Sequence, residues 1–155
     1  MTFTNNWDEA EILRRLADAG TSQLDRDLAF RVYTSQLIGR QPDLVMHGGG
    51  NTSCKSVTTD LHGNKIDVLC VKGSGWDLGT IEAPGLPAVR LDRLLELESL
   101  KALSDEEMIN VQRANLLDSA APNPSVETLL HAFLPHKFID HTHATPFLAL
   151  ATLPD

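Results

Sequence analysis

Two imidazoles separated by a single threonine, His141-Thr142-His143, follow a stretch that opens with Pro124-Ser125-Val126-Glu127. Residues two apart on an extended chain point to the same side. Both rings would then converge on one point, as a divalent metal ion requires. Asp140 could orient a ligating ring. Glu127 lies near the start of a helix, where the dipole favours an ionised carboxylate. Beside a metal it can act as a general base or as an extra ligand; the plainer role is a helix cap beside Ser125. His131 falls on the same helical face as Glu127 and reads chiefly as a structural histidine. His47, His62 and His136 read as surface or structural residues.

Two glycine-rich breaks precede this group: His47-Gly48-Gly49-Gly50-Asn51-Thr52-Ser53 and Lys72-Gly73-Ser74-Gly75. Consecutive glycines allow positive φ and close approach of a ligand to the backbone. Successive amides can form an anion nest, and Asn51, Thr52 and Ser53 add side-chain donors. The second break resembles a phosphate loop in composition, but the GxxxxGK[ST] spacing is missing. The alternative for both is an ordinary turn. Together they suggest a metal-assisted enzyme acting on a phosphorylated small molecule.

The elements that must position these residues are legible in outline. Asn5 or Asn6 could cap a helix running to Ala19, ended by Gly20. Thr21 or Ser22 could start a second helix to about Gly39, with Leu24, Leu28, Val32 and Ile38 at helical spacing. Short apolar or alternating runs then predict strands at Leu44–Met46, Thr52–Thr58, Ile66–Val71 and Ala88–Arg90. His62-Gly63-Asn64 reads as a hairpin tip. Further on, helices are expected over Asp92–Leu103, from the capping box at Ser104 to about Leu117, and over Val126–Phe133 capped by Ser125. Phe138–His143 reads as a strand, and Thr145-Pro146 opens a last helix. Helices, antiparallel strands, then helices again predict an α/β fold of α+β-like character: three α/β/α layers around a largely antiparallel central sheet.

Composition narrows the function classes. The 155 residues suit one domain, 1–155. Thirteen basic against 21 acidic residues leave a net charge of −8, which argues against a general nucleic-acid binder. An anionic small substrate stays open, because local amides can outweigh global charge. No run reaches the roughly 18 apolar residues of a membrane span. The acidic N-terminus is not a signal peptide. Cys54 and Cys70 form no disulfide framework, so a reducing cytoplasm is the simplest location.

Taken together, HGGGNTS, VKGSGWDLGTIEAPGLPAVRLD and NPSVETLLHAFLPHKFIDHTHA resemble the class II aldolase/adducin family from about Val32 onward. The wording is most similar to the aldolase portion of bifunctional rhamnulose-1-phosphate aldolase/alcohol dehydrogenases. The resemblance implies that Gly50-Asn51, Ser74-Gly75 and Ser125 bind a substrate phosphate, with Val126 standing where the family has a second serine. It implies that Glu127 is the acid/base and that His141 and His143 are the first two Zn2+ ligands. A third histidine ligand would fall beyond Asp155, so the resemblance implies a fold incomplete at its C-terminal end, without the dehydrogenase domain. The expected reaction is retro-aldol cleavage of a ketose 1-phosphate to dihydroxyacetone phosphate and an aldehyde, in a homotetramer. The alternatives are a catalytically incomplete fragment, a non-enzymatic adducin-like domain, or a pentulose-phosphate 4-epimerase of the same family.

Overall fold

The computed structural model describes residues 5–153. The chain opens with two helices, α1 (Glu9–Asp18) and α2 (Gln23–Gly39). Asp8 caps α1 by accepting the Glu11 N–H, whereas the asparagine expected there, Asn5, accepts from Trp7. Ser22 and Asp25 form a reciprocal capping box at the start of α2, satisfying amides that the first turn leaves without partners.

Four strands follow: β1 (Asn51–Thr59), β2 (Lys65–Val71), β3 (Ala88–Arg90) and β4 (Phe138–His141). They form one sheet in the order β3-β2-β1-β4, antiparallel throughout. The β1–β2 turn is held by Asp60, whose carboxylate accepts from the His62 and Asn64 amides, while Gly63 takes a φ of 82°. The strand expected at Leu44–Met46 is absent. Leu44 and Val45 instead donate to the Gln41 carbonyl in turns that close α2, and the buried Val45 joins the core from there.

Alternation along the strands builds two cores. Cys54, Val68 and Cys70 face α2 and pack with Val32, Leu78, Ile81 and Leu86. Leu69 and Val71 face the other way, toward α3 (Leu91–Leu95) and α5 (Thr128–Phe133), and pack with Val89, Leu94 and Ala132. Both faces of β2 are therefore covered, and the three-layer α/β/α arrangement expected from the sequence is present. Cys54 and Cys70 are register partners and both are free thiols. The helix expected over Asp92–Leu103 is shorter, because α3 tightens into a 3-10 turn at Glu96–Ser99. The helix after Ser104, α4, spans Asp105–Ala114 with the expected capping box, but Leu116 leaves it to bridge Val89. A final helix, α6, spans Thr145–Ala151. No helix among the described residues is long and apolar enough to cross a membrane.

The topology gathers three strand ends at one edge. Antiparallel pairing sets Asn51, the first residue of β1, opposite His141, the last of β4. Lys72, just past β2, donates its amide to Thr52 at the same end. The elements thus deliver both glycine-rich breaks and the histidine pair to one place.

Candidate active site

Glu127 ends a turn that Ser125 organises. The Ser125 hydroxyl accepts the Glu127 N–H at 3.2 Å, and its carbonyl accepts from the Thr128 hydroxyl at 2.5 Å. α5 begins at Thr128 rather than Val126, so Glu127 stands at the N-cap position. Its side chain does not cap the helix. It turns instead toward β4, where Oε2 lies 2.8 Å from His141 Nδ1. The helix-cap role is thereby set aside. An ionised carboxylate only accepts, so His141 donates to it through Nδ1.

β4 ends at His141, so His143 projects from the segment leading into α6 rather than from the strand. Convergence holds nonetheless. The two imidazoles meet edge-on with centroids 4.8 Å apart. One ligand atom each from Glu127, His141 and His143 lies within 4.8 Å of the others. A carboxylate oxygen and two imidazole nitrogens are a donor set that suits zinc and other first-row divalent ions. Asp140 does not support this cluster. Strand alternation turns it to the opposite face, where it meets the buried Arg31 as a 2.7 Å charge contact rather than an aligned hydrogen bond.

Burial alone would raise the Glu127 carboxyl. The hydrogen bond from His141, that ring's charge and the Asn51 side chain outweigh it and hold Glu127 below its ordinary value. Asn51 is 2% exposed, and its Oδ1 has no hydrogen-bond partner among the described residues. A buried polar atom left without a partner is costly, and here it adjoins the carboxylate that a ligand would meet. The other predicted residues are adjacent. Gly73 bridges Pro124, the Ser74 N–H donates to Asn123, and the Ser125 N–H donates to Lys72. Ser74 and Gly75 are exposed, with Gly75 at a φ of 86°. Gly50, Asn51, Ser74, Gly75 and Ser125 thus lie on neighbouring segments around Lys72.

The glycine run is not the open nest expected from its sequence. The Gly48 N–H is taken by Asp77 Oδ2 at 2.8 Å, and the Gly49 N–H by the Met46 carbonyl at 2.8 Å. Gly50 is required sterically. It sits at a φ of 71°, and a Cβ there would fall 2.5 Å from Val45 Cγ1 and 3.0 Å from the His141 carbonyl. Gly50→Ala is expected to destabilise the protein by roughly 2–4 kcal/mol in denaturant unfolding, from left-handed strain plus overpacking.

Two residues at the site, Lys72 and Asp77, were not assigned from sequence, and a third, His131, was read as structural. Lys72 is 8% exposed, and its Nζ donates to the Gly48 carbonyl at 3.2 Å. Burial pushes its ammonium below the ordinary value, while the Glu127 and Asp77 carboxylates partly oppose this. The signal available was a lysine directly after the most apolar strand. Asp77, beyond Trp76, is the second. Its carboxyl is held low by the Gly48 amide against desolvation, with the Gly79 amide adding to the effect. His131, anticipated as structural, is fully buried and shares a 2.8 Å hydrogen bond with the Ser53 hydroxyl.

Burial pushes His131 down to about 4, despite the opposing Glu127 charge. A base whose folded value is depressed below its unfolded 6.5 stabilises the fold fully above that value, and the contribution is lost as pH falls toward 4. Lowering pH from 7.5 to 4.5 should cost the metal-free protein about 2–3 kcal/mol from this group, from its full burial and the 1.36 kcal/mol per unit of pKa difference. Denaturant unfolding of His131→Gln beside wild type checks it: the variant should lose less stability over the same interval.

The fold and the cluster together define a three-layer α/β protein with a candidate metal centre where the sheet's strands end. Residues 31–155 match the Class II Aldolase and Adducin N-terminal domain, and the chain belongs to that family. It is similar to the N-terminal class II aldolase domain of a conserved protein from Thermoplasma acidophilum, at TM-score 0.83 and 40% identity, over 99% of this chain and 67% of that one. It is also 42% identical over 129 residues to the uncharacterized oxidoreductase YuxG of Bacillus subtilis (strain 168). That alignment takes in 83% of this chain and 19% of YuxG, so the chain spans about a fifth of that relative's length.

Proposed function

We propose that this chain carries the site of a zinc-dependent lyase that cleaves a ketose 1-phosphate, of the rhamnulose-1-phosphate kind, to dihydroxyacetone phosphate and an aldehyde. The observation that carries this reading is the convergence of Glu127, His141 and His143 beside the buried Asn51 and Lys72. Class II aldolases are typically metal-dependent, and His141 and His143 would hold the ion here. Bound zinc would supply Lewis-acid stabilisation of negative charge on substrate oxygens.

The chain's own residues bind, orient and move a proton. Asn51, Ser74 and Ser125, with the Gly50 and Gly75 amides, hold the phosphate; the Ser125 hydroxyl keeps its hydrogen free to donate. The Lys72 ammonium adds the local positive charge that a chain of net charge −8 otherwise lacks. Fixing the phosphate places the reacting carbons against Glu127. On cleavage the electron pair of the broken carbon–carbon bond passes to the ketone fragment. The hydroxyl on the carbon that becomes the aldehyde gives up its proton, and Glu127, protonated in turn, returns one to the carbon next to the carbonyl of the ketone fragment. In the synthetic direction Glu127 removes that proton, which suits a carboxylate held ionised. A homotetramer, from the family resemblance, and a cytoplasmic location, which suits two free thiols, complete the reading.

Zinc stoichiometry after dialysis, followed by product analysis, tests it. Near one zinc per chain and dihydroxyacetone phosphate released from rhamnulose-1-phosphate are expected. Conversion of ribulose-5-phosphate to its 4-epimer without cleavage would reassign the reaction within the family. Absence of both zinc and turnover would favour a catalytically incomplete fragment or a non-enzymatic, adducin-like domain.

A further inference from the structure

We propose that Lys72 and Asp77 are positioning residues that grip Gly48 from both sides and so hold the glycine loop against the histidine pair. The Asp77 carboxylate accepts the Gly48 N–H at 2.8 Å through Oδ2. The Lys72 ammonium donates to the Gly48 carbonyl at 3.2 Å. Both flanking polar groups of one glycine are therefore held by opposite charges from the segment after β2. Asp77 is itself fixed from behind, because its Oδ1 accepts the Gly79 N–H at 2.8 Å. Lys72 is rooted at the end of β2 and almost fully buried.

Packing does not hold Gly48 in place. The residue has a φ of 76°, and a Cβ built there meets nothing within 4 Å. An exposed left-handed glycine has high conformational freedom, so its orientation depends on polar contacts. That orientation matters one and two residues on. A Cβ at Gly49 would lie 3.8 Å from His143 Nδ1, and one at Gly50 would lie 3.0 Å from the His141 carbonyl. The grip therefore sets a wall of the site and aims the Gly50–Asn51 segment at it. This inference rests on the reading that the segment binds an anion.

Amide exchange by NMR, with titration of inorganic phosphate, tests the grip on Asp77→Asn, Asp77→Ala and Lys72→Met. Loss of one charge-assisted hydrogen bond should speed Gly48 amide exchange about tenfold in Asp77→Ala and weaken phosphate binding by a similar factor relative to Asp77→Asn, which removes the same repelling charge. Asp77→Asn keeps an acceptor of the same size and its exchange should fall between. Lys72→Met is read by exchange alone, since its charge also attracts the anion. Unchanged Gly48 exchange in these variants would overturn the grip. Faster exchange in Asp77→Ala with the phosphate affinity of Asp77→Asn would overturn its role in shaping the site. Failure of the wild-type protein to bind phosphate would overturn the anion reading instead, while the exchange rates still decide the grip.

Discussion

Glu127→Gln is expected to lower kcat for the proposed aldol cleavage by about 10²–10⁴, the usual contribution of a positioned general acid or base, and to leave zinc content near wild type. The expectation follows from where the carboxylate points. Its Oε2 accepts from His141 Nδ1 at 2.8 Å, and a glutamine carbonyl can accept the same hydrogen bond. The orientation of the His141 ring would survive, whereas proton transfer would not. Steady-state rates on rhamnulose-1-phosphate beside elemental analysis measure both arms. Loss of zinc in this variant would mean that Glu127 is mainly a ligand; unchanged kcat would remove it from the reaction.

His141→Ala is expected to remove metal and turnover together. A direct ligand should cost more than the 10–100-fold that outer partners of metal ligands cost, so zinc affinity should fall by at least about 100-fold. The substitution also deprives Glu127 of the hydrogen bond that lowers its carboxyl. Carbon-13 titration of metal-free protein should therefore show the Glu127 carboxyl moving up. Unchanged zinc content in His141→Ala would sink the metal assignment, whatever happens to the rate. Because β4 is a short edge strand and His141 is half-buried, thermal unfolding of the variant separates loss of the site from loss of the strand.

Local rules carried much of the fold. The capping boxes at Ser22 and Ser104 depend on residues three apart, so both helix starts were readable. The apolar run Ile66–Val71 and the turn at Gly63 likewise marked the β1–β2 hairpin. The failures were also local in origin. Leu44–Met46 is apolar enough for a strand, but the Gln41 carbonyl captures the Leu44 and Val45 amides in turns. Asp140 was placed beside the histidines because it precedes them, yet alternation along β4 sends it to Arg31 on the other face.

By itself the sequence determined which residues could do the chemistry: Glu127, His141, His143 and the two glycine-rich breaks, together with the layered α/β class. These depend on side-chain type and on short-range periodicity, which a linear chain displays. Only the tertiary structure decided what those residues touch. The antiparallel register put Asn51 opposite His141, the turn after Ser125 aimed Glu127 at that ring rather than at its own helix, and Lys72 and Asp77 closed on Gly48. Each of these is a contact between segments far apart in the chain. Their partners are selected by strand pairing and core packing, which no local pattern encodes.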